Sequence, residues 1–351
     1  LIMLMIGFIN GVSLGAGVLV ARLYGAQDHK TLKQAVYTTV ALGLCAGVLL
    51  SILGIIFTPQ ILRWMGTPAD VLVHAEVYVR IYFAGMIPSL IYNVGAGLLR
   101  AVGDSRRPLY FLISACMVNI VLDVLLVVGL EMGVAGAALA TIFSQAVSAV
   151  LVVLTLLRSH QAYRLEPRKI RFYGNLLDRI VRIGFPAGLQ SVMYSLSNII
   201  IQASINAFGT DIVAAYTAYG KLDGLYWMMI NAFGVSITTF VGQNFGAGKY
   251  DRMRRSVRVC LLMTFGATVL MSGFFLLYRL FTDDAQVIAL GMQILRLLGP
   301  TYVTYICIEV LAGAVRGTGD SLIPTLFTLT GVCLLRVAWV MGVAPAYHSL
   351  T

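Results

Sequence analysis

The chain has 351 residues, 59% of them hydrophobic and 11% charged, with a mean hydropathy of +0.87 and a formal net charge of +10. A soluble domain carries about 25% charged residues, so this composition excludes an ordinary water-facing surface and points to an integral membrane protein. The net positive charge is not a nucleic-acid footprint: the basic residues sit in short loops between apolar runs, not along a helix face or among aromatics, which reads as membrane orientation.

Crossing about 30 Å of hydrocarbon takes about 20 apolar residues in a helix. Ten stretches qualify, at 1–23, 35–58, 72–99, 108–130, 134–157, 181–207, 213–245, 256–280, 286–315 and 324–345. The spacing therefore predicts an all-α polytopic protein. Its 35 glycines suit close helix approach, because apolar side chains gain nothing over lipid in a membrane. The connectors alternate in character. Basic ones run Arg22 to Lys33, Arg100 to Arg107, Arg158 to Arg182, Lys249 to Arg258, and at Arg316. The intervening ones, TPQILRWMGTPAD, EMGVAG, FGTD and FTDDAQ, are short and nearly uncharged or acidic. Positive loops stay cytoplasmic, so every second connector is expected there, in a multi-pass plasma-membrane protein. Residues 158–180 form the one long polar connector, read as a cytoplasmic linker with a short amphipathic helix. Cys45, Cys116, Cys260, Cys307 and Cys333 each lie inside an apolar run without metal-ligand spacing, and read as small packing residues.

An internal repeat sets the architecture. GLLRAVGDSRRP at 97–108 aligns with GAVRGTGDSLIP at 313–324, sharing Gly, Arg, Gly, Asp, Ser and Pro; Arg80 pairs with Arg296 at the same offset. With small gaps, GVS at 11–13 meets GVS at 234–236 and YGAQ at 24–27 meets FGAG at 245–248. Six spans separate equivalent loops, and an even number preserves orientation, so the repeats are parallel. The second repeat has room for one more span before its Gly246 loop than the first has before Gly25. The reverse holds after Pro108 and Pro324. A six-plus-six whole is expected, with one helix missing here at each end. The expected division is an N-lobe at 1–157, the linker at 158–180 and a C-lobe at 181–351.

These residues resemble the multidrug and toxic compound extrusion (MATE) family. The match rests on the Gly-Ala loop after the second helix of each lobe and RxxGDSxxP after the fourth. It adds NIVLDVLLVVGLEMGVAGAALAT at 119–141, IGFPAGLQ at 183–190, and INAFG with FVGQNFGAGKYDR at 240–252. The resemblance implies export of organic cations or other amphipathic compounds, driven by Na+ or H+ influx, with no further cofactor.

A charge at a helix centre costs about 2.5–3.5 kcal/mol on insertion scales, so each asks for a reason. Asn119 and Asp123 stand four apart and share a helix face. Amide and carboxylate oxygens suit Na+, and the carboxylate alone carries a proton; the bland reading is a helix cap or a lysine partner. The resemblance implies that this pair, with Thr141 and Asn93, forms an N-lobe cation site. It also puts Tyr194 where another branch of the family has a Glu, which argues against a C-lobe carboxylate site of that type. Gln190, Tyr194 and Asn198 form a polar stripe at helical spacing, read as cavity lining or interhelical bonding. Glu309 and Arg336 suggest a buried ion pair or a cation-attracting site, with Lys221 and Asp223 weaker candidates. Trp227, Met228, Met229 and Asn231 read as an adaptable wall for flat cations, or as packing. The RxxGDSxxP loops read as structural: Gly for the turn, Asp or Ser as cap, Pro in the first turn. They also offer a brace, Arg100 and Arg316 to Asp104 and Asp320. A cation-coupled exporter, acting as a monomer on small organic cations, is the leading expectation. A lipid-linked oligosaccharide flippase would want a cavity ringed by Arg, and only Arg336 offers itself. A membrane enzyme or receptor would want a catalytic set or metal cluster, and the sequence has neither HExxH, nucleophile elbow nor phosphate loop.

Overall fold

The computed structural model describes residues 2–64, 66, 68–205, 210–272 and 301–342, and every regular element among them is helical. In chain order these are α1 (Ile2–Gly25), α2 (His29–Trp64), α3 (Ala69–Ala84), α4 (Met86–Ala101), α5 (Arg106–Asp123) and α6 (Gly133–Arg158). Then come α7 (Gly174–Ile205), α8 (Thr210–Gly246), α9 (Tyr250–Ser272), α10 (Thr301–Gly317), α11 (Leu322–Thr328) and α12 (Leu335–Gly342). Helices α5 and α11 each run on into a π-helical turn, Val124–Gly129 and Leu329–Leu334.

The outer surface is what lipid requires. Leu49 and Ile56 on α2, Met117 and Val121 on α5, and Leu262 and Leu270 on α9 are all more than half exposed. Contiguous apolar surface on this scale is not tolerated in water. Five helices among the described residues are long and apolar enough to cross a membrane, six if the bent pair α3–α4 is one span. That pair answers the single span expected at 72–99. The bend of 48° falls at Gly85. Pro88 explains it: proline lacks the N–H that would bond to Ala84, and its ring clashes with that carbonyl. Of the other expected spans, the described parts of 1–23 and 181–207 lie in α1 and α7. The spans at 256–280 and 286–315, with Arg296, fall partly or wholly outside the described residues.

The chain divides into two compact units, residues 27–181 and residues 1–26 with 182–351. By contact, α1 thus groups with the second half, where the expected first lobe ran from residue 1.

In the 27–181 unit, α6 packs on α3, α4 and α5, and α2 packs on α3 and α4. The Ser51 hydroxyl donates to the Phe83 carbonyl at 2.7 Å, and the Phe83 ring fills the space a side chain at Gly54 would take. The polar connector is tied down. The Tyr173 N–H donates to the Thr38 hydroxyl at 3.2 Å, and Lys169 pairs with Glu166 at 2.7 Å. This ion pair holds the Glu166 carboxyl below its ordinary value and raises the Lys169 ammonium. Only one short helical turn, Pro167–Lys169, forms where an amphipathic helix was expected, and α7 starts at Gly174, inside the expected linker.

In the other unit, Tyr226, Ile230, Ile237, Val241, Tyr302, Ile306 and Val310 make the core between α8 and α10, closed by Cys260 of α9. Helix α1 lies against α7 and α8 at backbone distance. A Cβ on Gly11 would meet Gly188 N at 2.2 Å, and one on Gly184 would meet Val12 Cα at 2.8 Å. The ends of α1 and α8 lie together with the α10–α11 loop: a Cβ on Gly319 would fall 2.2 Å from an Arg22 nitrogen, and the Arg22 guanidinium lies 4.9 Å over the Phe245 ring. Three of the basic connectors thus leave this unit at one end, as parallel repeats require. All five cysteines are free; Cys260 and Cys333 are buried.

Candidate functional site

Seven residues are two helical turns, so Glu309 and Arg316 share a face of α10. They pair at 3.4 Å with side chains only 12% and 10% exposed. The second Arg316 amino group donates to Gln190 Oε1 of α7 at 3.3 Å, and that oxygen also accepts from the Thr325 hydroxyl of α11 at 3.4 Å. Glycine at 234 of α8 leaves room for the carboxylate: a Cβ there would sit 2.8 Å from Glu309 Oε1. Arg316 Nε is buried without a hydrogen-bond partner among the described residues. A buried charge pair of this kind is costly to break, because the survivor is left unpaired in low dielectric.

This arrangement corrects two expected pairings. Glu309 pairs with Arg316 on its own helix, and Arg336 of α12 instead donates to Asn198 Oδ1 of α7 at 3.1 Å. Asp320 is not Arg316's partner. Its Oδ1 accepts from the Leu322 and Ile323 N–H groups at 3.0 and 3.3 Å, capping α11. Asp104 does the same for α5 through the Arg107 N–H at 3.1 Å, and pairs with the Arg107 side chain at 3.3 Å. Arg100 makes no ion pair among the described residues. The two loops are therefore capping turns, each with a glycine at φ +95° (Gly103 and Gly319) that only a residue without Cβ adopts freely.

The stripe Gln190, Tyr194, Asn198 runs from buried through half-buried to exposed along α7, and an arginine holds each end. Earlier on α8 lies a cluster of which the sequence reading named only Asp223. The Tyr219 hydroxyl donates to Asp223 Oδ1 at 3.0 Å, and the Tyr302 hydroxyl of α10 donates to the same oxygen. Tyr302 stacks on Tyr226 with ring centroids 4.6 Å apart. The i,i+4 spacing of Tyr219 and Asp223 was the available signal; Tyr302 is far away in sequence. Trp227 and Met228 are exposed, Met229 packs against the core and Asn231 is half-buried.

In the other unit, Asn119 and Asp123 are half-buried on α5, while their neighbours Ile120, Val121 and Val124 are more than half exposed. Asp123 closes α5, where the backbone passes into its π-helical turn. Among the described residues neither Asn119 nor Asp123 has a hydrogen-bond or ionic partner, so Asp123 is neither a cap nor lysine-paired. An apolar cleft of 520 Å3 lined by Val118, Leu122, Phe143 and Val147 lies between α5 and α6 and offers nothing polar. Thr141 and Asn93 stand on α6 and α4, and α6 packs on both α4 and α5. Each donates to a carbonyl of its own helix, Thr141 to Ala137 at 3.0 Å and Asn93 to Ser89 at 2.9 Å. That leaves the Asn93 amide oxygen and the Thr141 lone pairs able to accept. The structure thus puts the four residues on three mutually packed helices without joining them by hydrogen bonds.

Comparison with known proteins agrees with this architecture. The chain is 28% identical over 345 residues to the probable multidrug resistance protein YoeA of Bacillus subtilis, an alignment covering 95% of this chain and 74% of that protein. It is 27% identical to the probable multidrug resistance protein NorM of Thermotoga maritima, covering 94% and 73%. Among solved structures, an outward-facing multidrug resistance MATE family transporter superposes with a TM-score of 0.90 at 23% identity, covering 96% of this chain and 77% of that one. A MOP superfamily transporter from Pyrococcus furiosus gives 0.88 at 23%, covering 97% and 78%. The sequence pattern of the MatE family matches residues 1–125 and 186–340, and the chain belongs to that family.

Proposed function

We propose that the chain works as a transporter, not an enzyme. It exports small organic cations from the cytoplasm across the plasma membrane by alternating access, coupled to influx of Na+ or H+ at Asp123. The observation that carries this reading is Asp123 itself, a half-buried carboxylate in a membrane-spanning helix with no partner among the described residues. An intramembrane acid without a partner is a functional site by default. Asn119 one turn before it, with Asn93 and Thr141 on the packed neighbours, supplies the oxygen donors a hard monovalent cation prefers. The basic connectors face the cytoplasm, and the protein acts as a monomer. The relatives' names as probable multidrug resistance proteins favour export over lipid-linked oligosaccharide flipping. So does the Arg316–Glu309 pair, which occupies an arginine that could otherwise meet a pyrophosphate.

The test is efflux of a fluorescent cation from vesicles under separately imposed Na+ and pH gradients. Asp123→Asn is expected to abolish gradient-driven efflux while membrane expression is unchanged. Wild-type efflux from that variant would remove Asp123 from the mechanism.

A further inference from the structure

Helix α9 carries three arginines on one line. With 3.6 residues per turn, Arg254, Arg255 and Arg258 fall within about 100° of arc, and Leu262, Phe265 and Val269 continue the same stripe along the helix. The opposite side is the packed one, where Met253, Val257 and Cys260 lie against the core of the unit. All three arginines are exposed. Among the described residues none of them is in an ion pair, not even with Asp251, which stands one turn before them on the same face. Leu262, Phe265 and Val269 are 72%, 46% and 56% exposed. The guanidinium groups therefore stand at the head of an apolar strip that faces lipid.

The duplication shows what belongs at this position. Gly25 matches Gly246, and in the same register Lys33, Gln34, Tyr37 and Ala41 of α2 match Arg254, Arg255, Arg258 and Leu262. In the first repeat that face is covered: Tyr37 and Ala41 are 3% and 6% exposed. The polar connector bonds to Thr38 there, and its carboxylate Glu166 stands beside Tyr37 and Lys33. The first repeat thus takes its anion from its own chain. The second has arginine in place of the glutamine and the tyrosine, and among the described residues no carboxylate pairs with them. Guanidinium forks match phosphate oxygens bidentately, and basic clusters beside a membrane helix attract anionic lipid headgroups.

We propose that this face of α9 is a binding site for an anionic phospholipid, with Arg254, Arg255 and Arg258 holding the phosphate and Leu262, Phe265 and Val269 flanking an acyl chain. A nucleic acid or an acidic protein would meet the arginines and leave the strip unused; a lipid uses both. The site is independent of what the protein exports.

Native mass spectrometry of the purified protein, titrated in detergent with phosphatidylglycerol or with phosphatidylcholine of the same chains, tests this. Each basic residue near an anionic surface strengthens attraction about fivefold. One phosphate cannot engage three guanidinium groups fully, so we expect phosphatidylglycerol to bind about tenfold tighter than phosphatidylcholine. Arg254→Gln, Arg255→Gln and Arg258→Gln together should bring it down to the phosphatidylcholine level. A control with the same change in charge, Lys30→Gln, Arg164→Gln and Arg168→Gln, should leave the preference intact. Equal affinity of the wild type for the two lipids would overturn the proposal, and that comparison needs no variant to fold. Equal loss in the two triple variants would overturn it as well, by showing a general charge effect and no site. Glycerol 3-phosphate is the probe for a site that needs only the phosphate. It should fail to displace the bound lipid at equal concentration, and displacement would overturn the assignment to lipid.

Discussion

At the scale of single residues, small side chains decide where charges can stand. Glycine in a helix interior costs about 1 kcal/mol relative to alanine, so Gly234→Ala should by propensity alone stabilise α8. The structure argues the opposite sign. The new Cβ would lie 2.8 Å from Glu309 Oε1 and 2.9 Å from its Cγ, so the carboxylate must leave Arg316. Losing one partner of a buried pair costs about 3–5 kcal/mol, more than the propensity gain. We expect Gly234→Ala to melt lower by thermal unfolding in detergent. Glu309→Gln, which leaves the arginine buried and unpaired, should lose about as much. A Gly234→Ala protein more stable than wild type would show that Glu309 has another place to go. None of this was legible in the sequence. Glu309 stood out as a mid-helix acid, but its partner could be chosen only by knowing that Arg336 sits beside Asn198. The Asp320 and Asp104 caps were legible, because a side chain that bonds the N–H groups two or three residues ahead is a local matter.

At the scale of elements, hydropathy found the helices and proline shaped them. The apolar run at 72–99 reads as one span because hydropathy does not register a helix bend. Pro88 bends it by 48° at Gly85, into α3 and α4. If the proline causes the bend, Pro88→Ala restores the bond from residue 88 to the Ala84 carbonyl and straightens the pair. Spin labels at Val73 and Arg100 should then report a longer distance by pulsed electron resonance. An unchanged distance would assign the bend to packing instead. The candidate is Gly85, where a Cβ would lie 2.5 Å from Ile142 Cγ1. The polar connector shows the converse limit. Its polar run suggested an amphipathic helix, yet the Tyr173 N–H near its end bonds the Thr38 hydroxyl of α2, a contact 135 residues away in sequence.

At the scale of the whole molecule, the duplication legible in the sequence reappears as matched backbone geometry. Gly103 and Gly319 share φ +95°, and Gln27 and Gly248, equivalent in the Gly-Ala loops, have φ +56° and +69° respectively. The repeat also makes a contact that no alignment displays. A Cβ on Gly25 would fall 1.9 Å from the Gln243 carbonyl oxygen, and one on Gly246 would fall 2.0 Å from the Arg22 carbonyl oxygen. Gly25 matches Gly246 in the repeat, and three residues before them Arg22 matches Gln243. The ends of α1 and α8 therefore cross reciprocally, backbone against backbone. The sequence offered the two glycines as members of matching loops, and only the fold reveals that each leaves space for the other helix.

Coupling between the two glycines tests that crossing. Either Gly25→Ala or Gly246→Ala inserts a Cβ into backbone that cannot yield by rotating a side chain, so each should destabilise by about 1–3 kcal/mol, as overpacking does. The first substitution already parts the helices, and the second then finds the space made. In the double variant the losses should fall well short of their sum, by at least the 0.5 kcal/mol typical of residues in contact. Unfolding of the four proteins of the cycle in detergent measures this directly. Strict additivity would mean that the two contacts are independent and that the ends of α1 and α8 do not share one crossing point.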